Sequence, residues 1–314
     1  MARKIIIDTD PGIDDAMAIL FAFHAQELEV LGLTTTYGNV SVEQSTINAL
    51  ALVELAGKTV PVAKGVAVPR VREPGEFPDF VHGKDGFGNI GWAAPVTQAD
   101  PRDAAQFIID QVRAHPGEVT LIALGPLGNL AAALERDPEI AHLVDEVILM
   151  GGTWKERGNV SPVAEANIIN DPHAADMVFT APWQVVMIGL DVTHQVLLQN
   201  SLLERVRNVN PKEGTFLYDI AQFYINFYSG IHDVEGCYFH DASCVAYALQ
   251  PDIFGVARGA VRVATDGLAM GQTIICPEGK TSPLPGWDNV PMTDICMEVD
   301  SERLLQLFEE TLCQ

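Results

Sequence analysis

Basic residues are scarce in this chain of 314 residues: 19 Lys and Arg face 42 Asp and Glu, for a formal net charge of −23. Such a surface repels a nucleic-acid polymer and an anionic membrane, so neither is an expected partner. A neutral small molecule is not repelled, and a divalent cation is attracted. Cysteine is sparse too. The five, Cys237, Cys244, Cys276, Cys296 and Cys313, are odd in number and include no Cys-x-x-Cys pair, which argues against a disulfide framework and against a zinc site. No apolar run in the sequence reaches the roughly 18–20 residues of a membrane span. The start of the chain carries basic residues, but its apolar stretch is only Ile5 to Ile7 and ends in acid. That is not the pattern of a secretory signal, and the cytoplasm is the expected compartment. Internal repeats and low-complexity tracts are also absent.

What is present suits a large core. Hydrophobic residues make up 48% of the chain, and α/β enzymes of this length often fold as one unit, so a single domain over 1–314 is expected. Apolar runs that read as strands, Lys4 to Ile7, Val30 to Thr36, Val119 to Leu124, Val147 to Met150, Val185 to Leu190 and Val256 to Val263, alternate with helical patterns. The helical patterns begin at Asp14 and recur at Val42 to Ala56, Ala104 to Ala114, Leu127 to Glu135, His173 to Phe179, Thr215 to Tyr228, Ala242 to Ala248 and Ser301 to Leu312. Strand–helix alternation predicts an α/β fold: an open, mainly parallel central sheet with helices on both faces. Residues 65–100 are rich in Gly, Pro and charge and lack periodicity. A loop that long in a compact enzyme reads as a mobile lid, around 70–95, or else as a plain surface insertion.

Ligands of open α/β sheets bind at the carboxyl ends of the strands. That rule selects Asp8 to Asp15, Thr36 to Asn39, Gly125 to Asn129, Gly151 to Asn170 and Asp191 to His194, each polar directly after an apolar run. The first puts four carboxylates, Asp8, Asp10, Asp14 and Asp15, into one strand-to-helix turn made possible by Pro11 and Gly12. Like charges so close either raise one another's pKa or collect a metal. With oxygen donors alone on offer, that metal is a hard one, calcium or magnesium. Helix-start stabilisation accounts for Asp14 and Asp15 but not for acids at the end of a buried strand. An EF-hand loop counted from Asp8 needs Glu at its twelfth position, which is Ile19. A phosphatase using Asp8 as nucleophile stays open as an alternative, although cations for a phosphate are scarce in the strand-end segments.

The run IIIDTDPGIDDAMAIL resembles the N-terminal signature of the inosine–uridine preferring nucleoside hydrolase family. TTTYGNV, VHGKDGFG, LIALGPLGNLAAAL, VILMGG, GNVSPVAEANIINDPHAA, MIGLDVT and FHDASCVAYAL resemble further family segments in family order, covering nearly the whole chain. The resemblance implies a Rossmann-like fold, a bound calcium ion, hydrolysis of ribonucleosides and a homo-oligomer, dimeric or tetrameric. It also implies the site. Asp10, Asp15 and Asp241 would be metal carboxylates, and Leu124 would offer its backbone carbonyl to the metal. Asp14, Asn39 and Asn167 would lie near the ribose hydroxyls, Asn159 and Glu165 at the 5′-hydroxyl, Met150 against the sugar, and His82 and His240 near the nucleobase. Calcium prefers six to eight oxygens, so such a set leaves room for two sugar hydroxyls and a water. The family's metal-bound water attacks C1′ directly, without a covalent intermediate.

Elementary chemistry fits that scheme. Calcium acidifies water only weakly, so a carboxylate base should assist, and Asp10 is the candidate. The transition state should resemble an oxocarbenium ion, which nearby carboxylates stabilise. His240 is the candidate acid for the departing base. Phe223, Tyr224, Phe227 and Tyr228 recur at helical spacing and so read as core. With His232, Tyr238 and Phe239 following, Tyr228 and His232 are also candidates for the base pocket. Two positions depart from the family pattern: Ala166 replaces a common aromatic residue, and Gly128 a common Ser or Thr. Pro283 to Asp294, with Trp287, has no assigned counterpart. A protein that binds a nucleoside or ribose without cutting it is the non-enzyme alternative; it would have no use for a base beside the metal.

Overall fold

The β-branched run near the N-terminus forms β1 (Arg3–Thr9) at the centre of the molecule. In this computed structural model, which describes residues 2–232, 234–280 and 282–314 (for His232 the backbone only), ten further strands follow. They are β2 (Leu28–Thr35), β3 (Val62–Lys64), β4 (Val119–Ala123), β5 (Val144–Met150), β6 (Val185–Ile188), β7 (Leu197–Leu198), β8 (Cys237–Tyr238), β9 (Phe254–Val263), β10 (Thr273–Pro277) and β11 (Met292–Val299). Nine of these eleven strands make one sheet in the order β10-β9-β11-β6-β5-β4-β1-β2-β3, while β7 and β8 form a separate ribbon. From β11 through to β3 neighbouring strands run parallel, and only β9 pairs antiparallel with its neighbours β11 and β10.

Both faces of β1 are buried. Ile5 and Ile7 belong to one apolar cluster, beneath the helices Ile13–His24, Pro211–His232, Ala242–Leu249 and Ser301–Leu312. Ile6 belongs to the other, beneath Ala104–Ala114, Gly128–Arg136 and Pro172–Thr180. This is the period-two alternation of a strand covered on both sides. The helix Ile13–His24 is buried along almost its whole length, as its nearly continuous apolar sequence requires.

The chain moves outward from β1 to β2 and β3, then crosses back to β4 on the other side of β1, pairing Lys4 with Val119 through to Asp8 with Ala123. The direction of winding reverses there, and a crevice opens at the carboxyl ends of β1 and β4. Three sheet strands were not expected from sequence: β3 is too short to show a period, β10 ends on Pro277, and β11 interleaves Thr293, Asp294 and Glu298 with its apolar residues. The end of the unplaced segment Pro283 to Asp294 enters β11, between β6 and β9.

The 65–100 loop has two characters. Its later part is fastened to the helix Pro211–His232: Phe87, almost fully buried, and Trp92 set their rings edge-on against Phe216, with centroids at 5.2 and 4.8 Å. Its earlier part exposes Val71, Phe77 and Phe80 around the short helix Asp79–His82.

Candidate active site

The turn after β1 folds three carboxylates inward. Asp15 reaches back to its own helix start: Oδ2 accepts from the Gly12 amide at 2.9 Å and from Asn39 Nδ2 at 3.0 Å, and Oδ1 accepts from the Thr9 hydroxyl at 2.5 Å. Asp10 Oδ2 accepts from the Asn39 amide at 2.6 Å, and Asp14 Oδ2 accepts from the Tyr224 hydroxyl at 3.2 Å. Asp10 Oδ1 and Asp14 Oδ1 are buried with no hydrogen-bond partner among the described residues. Asp241, delivered from far along the chain at the start of the helix Ala242–Leu249, completes the group. Oxygens of Asp14, Asp15 and Asp241 lie within 4.8 Å of one another, all buried.

Asp10 is not part of that tightest set, but its charge is felt there. Burial, then the charges of Asp15 and Asp14, push the Asp10 carboxyl well up, and burial followed by Asp14, Asp15 and Asp10 does the same to Asp241. Burial also lifts Asp15, and lifts Asp14 to about 6. Carboxylates this close and this dry cannot all hold charge at neutral pH unless a cation joins them. Oxygen-only donors, two of them otherwise orphaned, fit a hard divalent ion.

Backbone shape makes the seat for Asp10. A Cβ on Gly38 would lie 2.0 Å from Asp10 Oδ2, and one on Gly125 would lie 2.3 Å from Oδ1. Asp8 looks elsewhere: its Oδ1 accepts from the Thr34 hydroxyl at 2.5 Å and Asn129 Nδ2 at 2.7 Å. Asp8 is buried, and its Oδ1 is tied to Thr34 and Asn129 rather than to the other three carboxylates.

Asp14, Asn39, His82, Leu124, Met150, Asn159, Glu165, Asn167, Tyr228, His240 and Asp241, all selected from sequence, line one cavity of about 430 Å³. Asp10 and Asp15 are not on its wall, and the His232 side chain lies outside the described residues. Asn167 Nδ2 donates to the Leu124 carbonyl at 2.7 Å and to the Met150 carbonyl at 3.1 Å, tying the ends of β4 and β5 together. The Leu124 oxygen thus keeps one lone pair for another partner. Glu165 caps the helix Ala166–Asn170, accepting from the Asn167 and Ile168 amides at 2.9 and 3.1 Å and from the Gly152 amide at 3.0 Å. Burial still pushes its carboxyl up to about 7. Asn159 Oδ1 accepts from the Ala166 amide at 3.0 Å.

His82 Nδ1 accepts from the Ile13 amide at 3.2 Å and lies 3.8 Å from Asp14 Oδ1, so the loop residue is seated on the start of the carboxylate-bearing helix. Burial pulls its imidazole down to about 4, leaving it neutral at neutral pH. His240, also on the cavity wall, is held on both nitrogens, Nδ1 by Thr193 Oγ1 at 2.8 Å and Nε2 by the Tyr228 hydroxyl at 2.9 Å. Tyr228 meets the Tyr224 hydroxyl at 3.3 Å, and Tyr224 donates to Asp14. A chain of hydrogen bonds therefore joins His240 to the carboxylate group.

Sequence reading selected the segment Asp191 to His194 but gave Thr193 and His194 no role of their own; it missed Phe80 and took Tyr224 for core. Tyr224 and Tyr228 lie four apart on one helix, and that spacing alone signals only a shared face. Phe80 and Phe227 also line the cavity, with ring centroids 5.9 Å apart. The two departures from the family pattern have local steric settings. Ala166 sits on the cavity wall, where an aromatic ring would fill space. A Cβ on Gly128 would lie 2.7 Å from the Val66 side chain.

Comparison with known proteins agrees with this geometry. The sequence signature of inosine-uridine preferring nucleoside hydrolases matches residues 5–306. Uridine nucleosidase 1 of Arabidopsis thaliana is 44% identical over 274 residues, 87% of this chain and 82% of that protein. The inosine-uridine preferring nucleoside hydrolase of Leishmania major is 42% identical over 279 residues, 88% of each. Among solved structures, a plant nucleoside hydrolase superposes with a TM-score of 0.96 at 41% identity, covering 100% of this chain and 99% of its own. A purine-preferring ribonucleoside hydrolase from Gardnerella vaginalis gives 0.92 at 35% identity, covering 99% and 98%. The chain therefore belongs to the inosine–uridine preferring nucleoside hydrolase family, enzymes that hydrolyse the N-glycosidic bond of ribonucleosides.

Proposed function

We propose that this enzyme is calcium-dependent and cleaves ribonucleosides by direct displacement at C1′, with Asp10 as general base and His240 as general acid. One observation carries the reading: Asp14 and Asp241 of the buried carboxylate group line a single cavity together with Asn39, Asn167 and His240. Asp10, Asp15, Asp241 and the Leu124 carbonyl would hold calcium, with Asp14 close by. When bound, calcium supplies a fixed anchor for the 2′- and 3′-hydroxyls and makes a nearby water somewhat more acidic.

The chain's own residues do the rest. Asp10 is fixed through Oδ2 and keeps Oδ1 without a partner among the described residues, so Oδ1 is the atom to receive the proton of the attacking water. Asp14 and its neighbours stabilise positive charge as it develops on the sugar. Asn39 and Asn167 orient the ribose, Asn159 and Glu165 meet the 5′-hydroxyl, and Met150 packs against the ring. His240, steadied by Thr193 and Tyr228, hands a proton to the leaving base. Uridine is the substrate to try first, because several similar plant proteins are named uridine nucleosidases. A cytoplasmic setting and assembly into a homodimer or homotetramer belong to the same reading, and sedimentation would test the assembly.

The diol contact provides the test. Removing the 2′-hydroxyl leaves buried polar groups without a partner, a loss worth on the order of 10⁴ in kcat/KM where sites are built around a hydroxyl. Uridine should be cleaved far faster than 2′-deoxyuridine, and faster than its 5′-phosphate, which meets no basic cluster among the described residues of the cavity. Comparable kcat/KM for uridine and 2′-deoxyuridine would contradict the reading.

A further inference from the structure

Beyond β6 the chain turns into the short helix Leu190–Thr193, whose Asp191 has no part in the chemistry above. This buried carboxylate does not line the cavity. It faces the loop leaving β5: Oδ2 accepts from the Trp154 amide at 2.6 Å and the Thr153 hydroxyl at 3.2 Å, and Oδ1 accepts from the amides of Lys155 and Glu156 at 2.7 and 3.0 Å. The Thr153 hydroxyl has one proton and also points at the Glu156 carbonyl at 2.8 Å, so the three backbone amides are the donors that Asp191 holds outright. Trp154, Lys155 and Glu156 supply consecutive backbone amides, and each makes a charge-assisted hydrogen bond to the carboxylate.

The loop lies hard against β6 at this point. A Cβ on Gly189 would sit 2.6 Å from the Gly152 carbonyl, which accepts from the Leu190 amide at 2.9 Å, and Gly152 itself takes a left-handed φ of 75°. Both groups assigned to the sugar's 5′ end depend on this turn. Just before it, Gly152 donates its amide to Glu165 Oε2 at 3.0 Å. Just after it, the loop runs to Asn159, which is bound to the Ala166 amide.

We propose that Asp191 is a positioning residue of the hydrolysis: by clamping the turn Thr153–Glu156 it sets where Asn159 and Glu165 meet the 5′-hydroxyl. The inference rests on the assignment of those two residues to the 5′ end. Misplacing a binding group by about an ångström can cost on the order of 10²-fold, and only substrates that use the group suffer it.

The test compares uridine with 5′-deoxyuridine, using wild type, Asp191→Ala, Asp191→Asn and Glu165→Gln, all loaded with calcium. The wild type should prefer uridine. Asp191→Ala should lose at least about tenfold in kcat/KM on uridine and less than about threefold on 5′-deoxyuridine, so that the preference collapses. Asp191→Asn, which keeps one acceptor and sets an amide donor against backbone donors, should move the same way and is the variant to read if the alanine form does not fold. Equal losses on both substrates, or none on either, would overturn the proposal. Glu165→Gln separates the two levels of the argument. If it leaves the preference intact, the 5′ assignment is wrong and the proposal falls with it. If it collapses the preference while both Asp191 variants keep theirs, the proposal alone is wrong.

Discussion

In the proposed mechanism Asp10 and His240 divide the work between water and leaving group, so their loss should read differently on different substrates. Every substrate needs the water, and Asp10→Asn should cripple all of them through the lost base and a weakened metal site. A purine leaves more readily once protonated, whereas a nitrophenyl group needs no proton at neutral pH. His240→Ala should slow inosine by roughly 10²–10⁴, the usual range for a general acid, and leave the nitrophenyl riboside nearly unchanged. Equal losses on both, with calcium still held, would make His240 a structural group. The carboxylates were legible in sequence because four acids in one turn after a buried strand repel one another unless a cation joins them. The partners of Asp10 were not, since glycines at 38 and 125 and the amide of Asn39 act through backbone proximity that spacing does not encode. The same proximity gives a second prediction. Gly125→Ala should displace the Asp10 carboxylate and cost on the order of 10²-fold in kcat. Wild-type activity in that variant would show that the seat is looser than its 2.3 Å approach implies.

At the scale of strands and their turns, the site is a product of topology. Asp10, Asn39, Leu124 and Met150 all stand at or just beyond carboxyl ends of neighbouring strands β1, β2, β4 and β5; apolar runs followed by polar residues pointed to the first two, whereas Leu124 and Met150 came from the family resemblance. What those runs could not show was the sheet's far edge, where β10 and β11 carry no clean alternation, nor the fastening of the 65–100 loop by Phe87, Trp92 and His82. The buried acids also bear on stability. Folding raises Asp8 and Glu165 to about 7 and Asp14 to about 6, from ordinary carboxyl values near 4. In metal-free protein these groups favour the fold while protonated. Their contribution is full below about pH 4 and is lost as pH rises through 6 to 7. A cation binds the ionised cluster and has the opposite pH dependence. The gain in Tm on adding calcium to chelated protein should therefore be larger at about pH 8 than at about pH 5. An equal gain at both would place the ion away from the cluster of Asp14, Asp15 and Asp241.

For the molecule as a whole, the net charge of −23 and a cavity lined, among the described residues, by one Arg and no Lys turn away polyanions and leave a small neutral sugar conjugate as the natural guest. The sheet brings residues from 10 to 241 into a single site, so the α/β architecture inferred from strand–helix alternation was also the means of assembling the chemistry. Base preference was the least legible property; Phe80, Phe227 and His194, which share the cavity with the proposed site residues, meet only in three dimensions. The most direct measurement is release of reducing sugar from a panel of ribonucleosides by the purified protein, as isolated, after exhaustive chelation and after calcium is restored. Ribose should appear with uridine or inosine, vanish on chelation and return with about one calcium per chain. Full activity in verified metal-free protein would contradict the account.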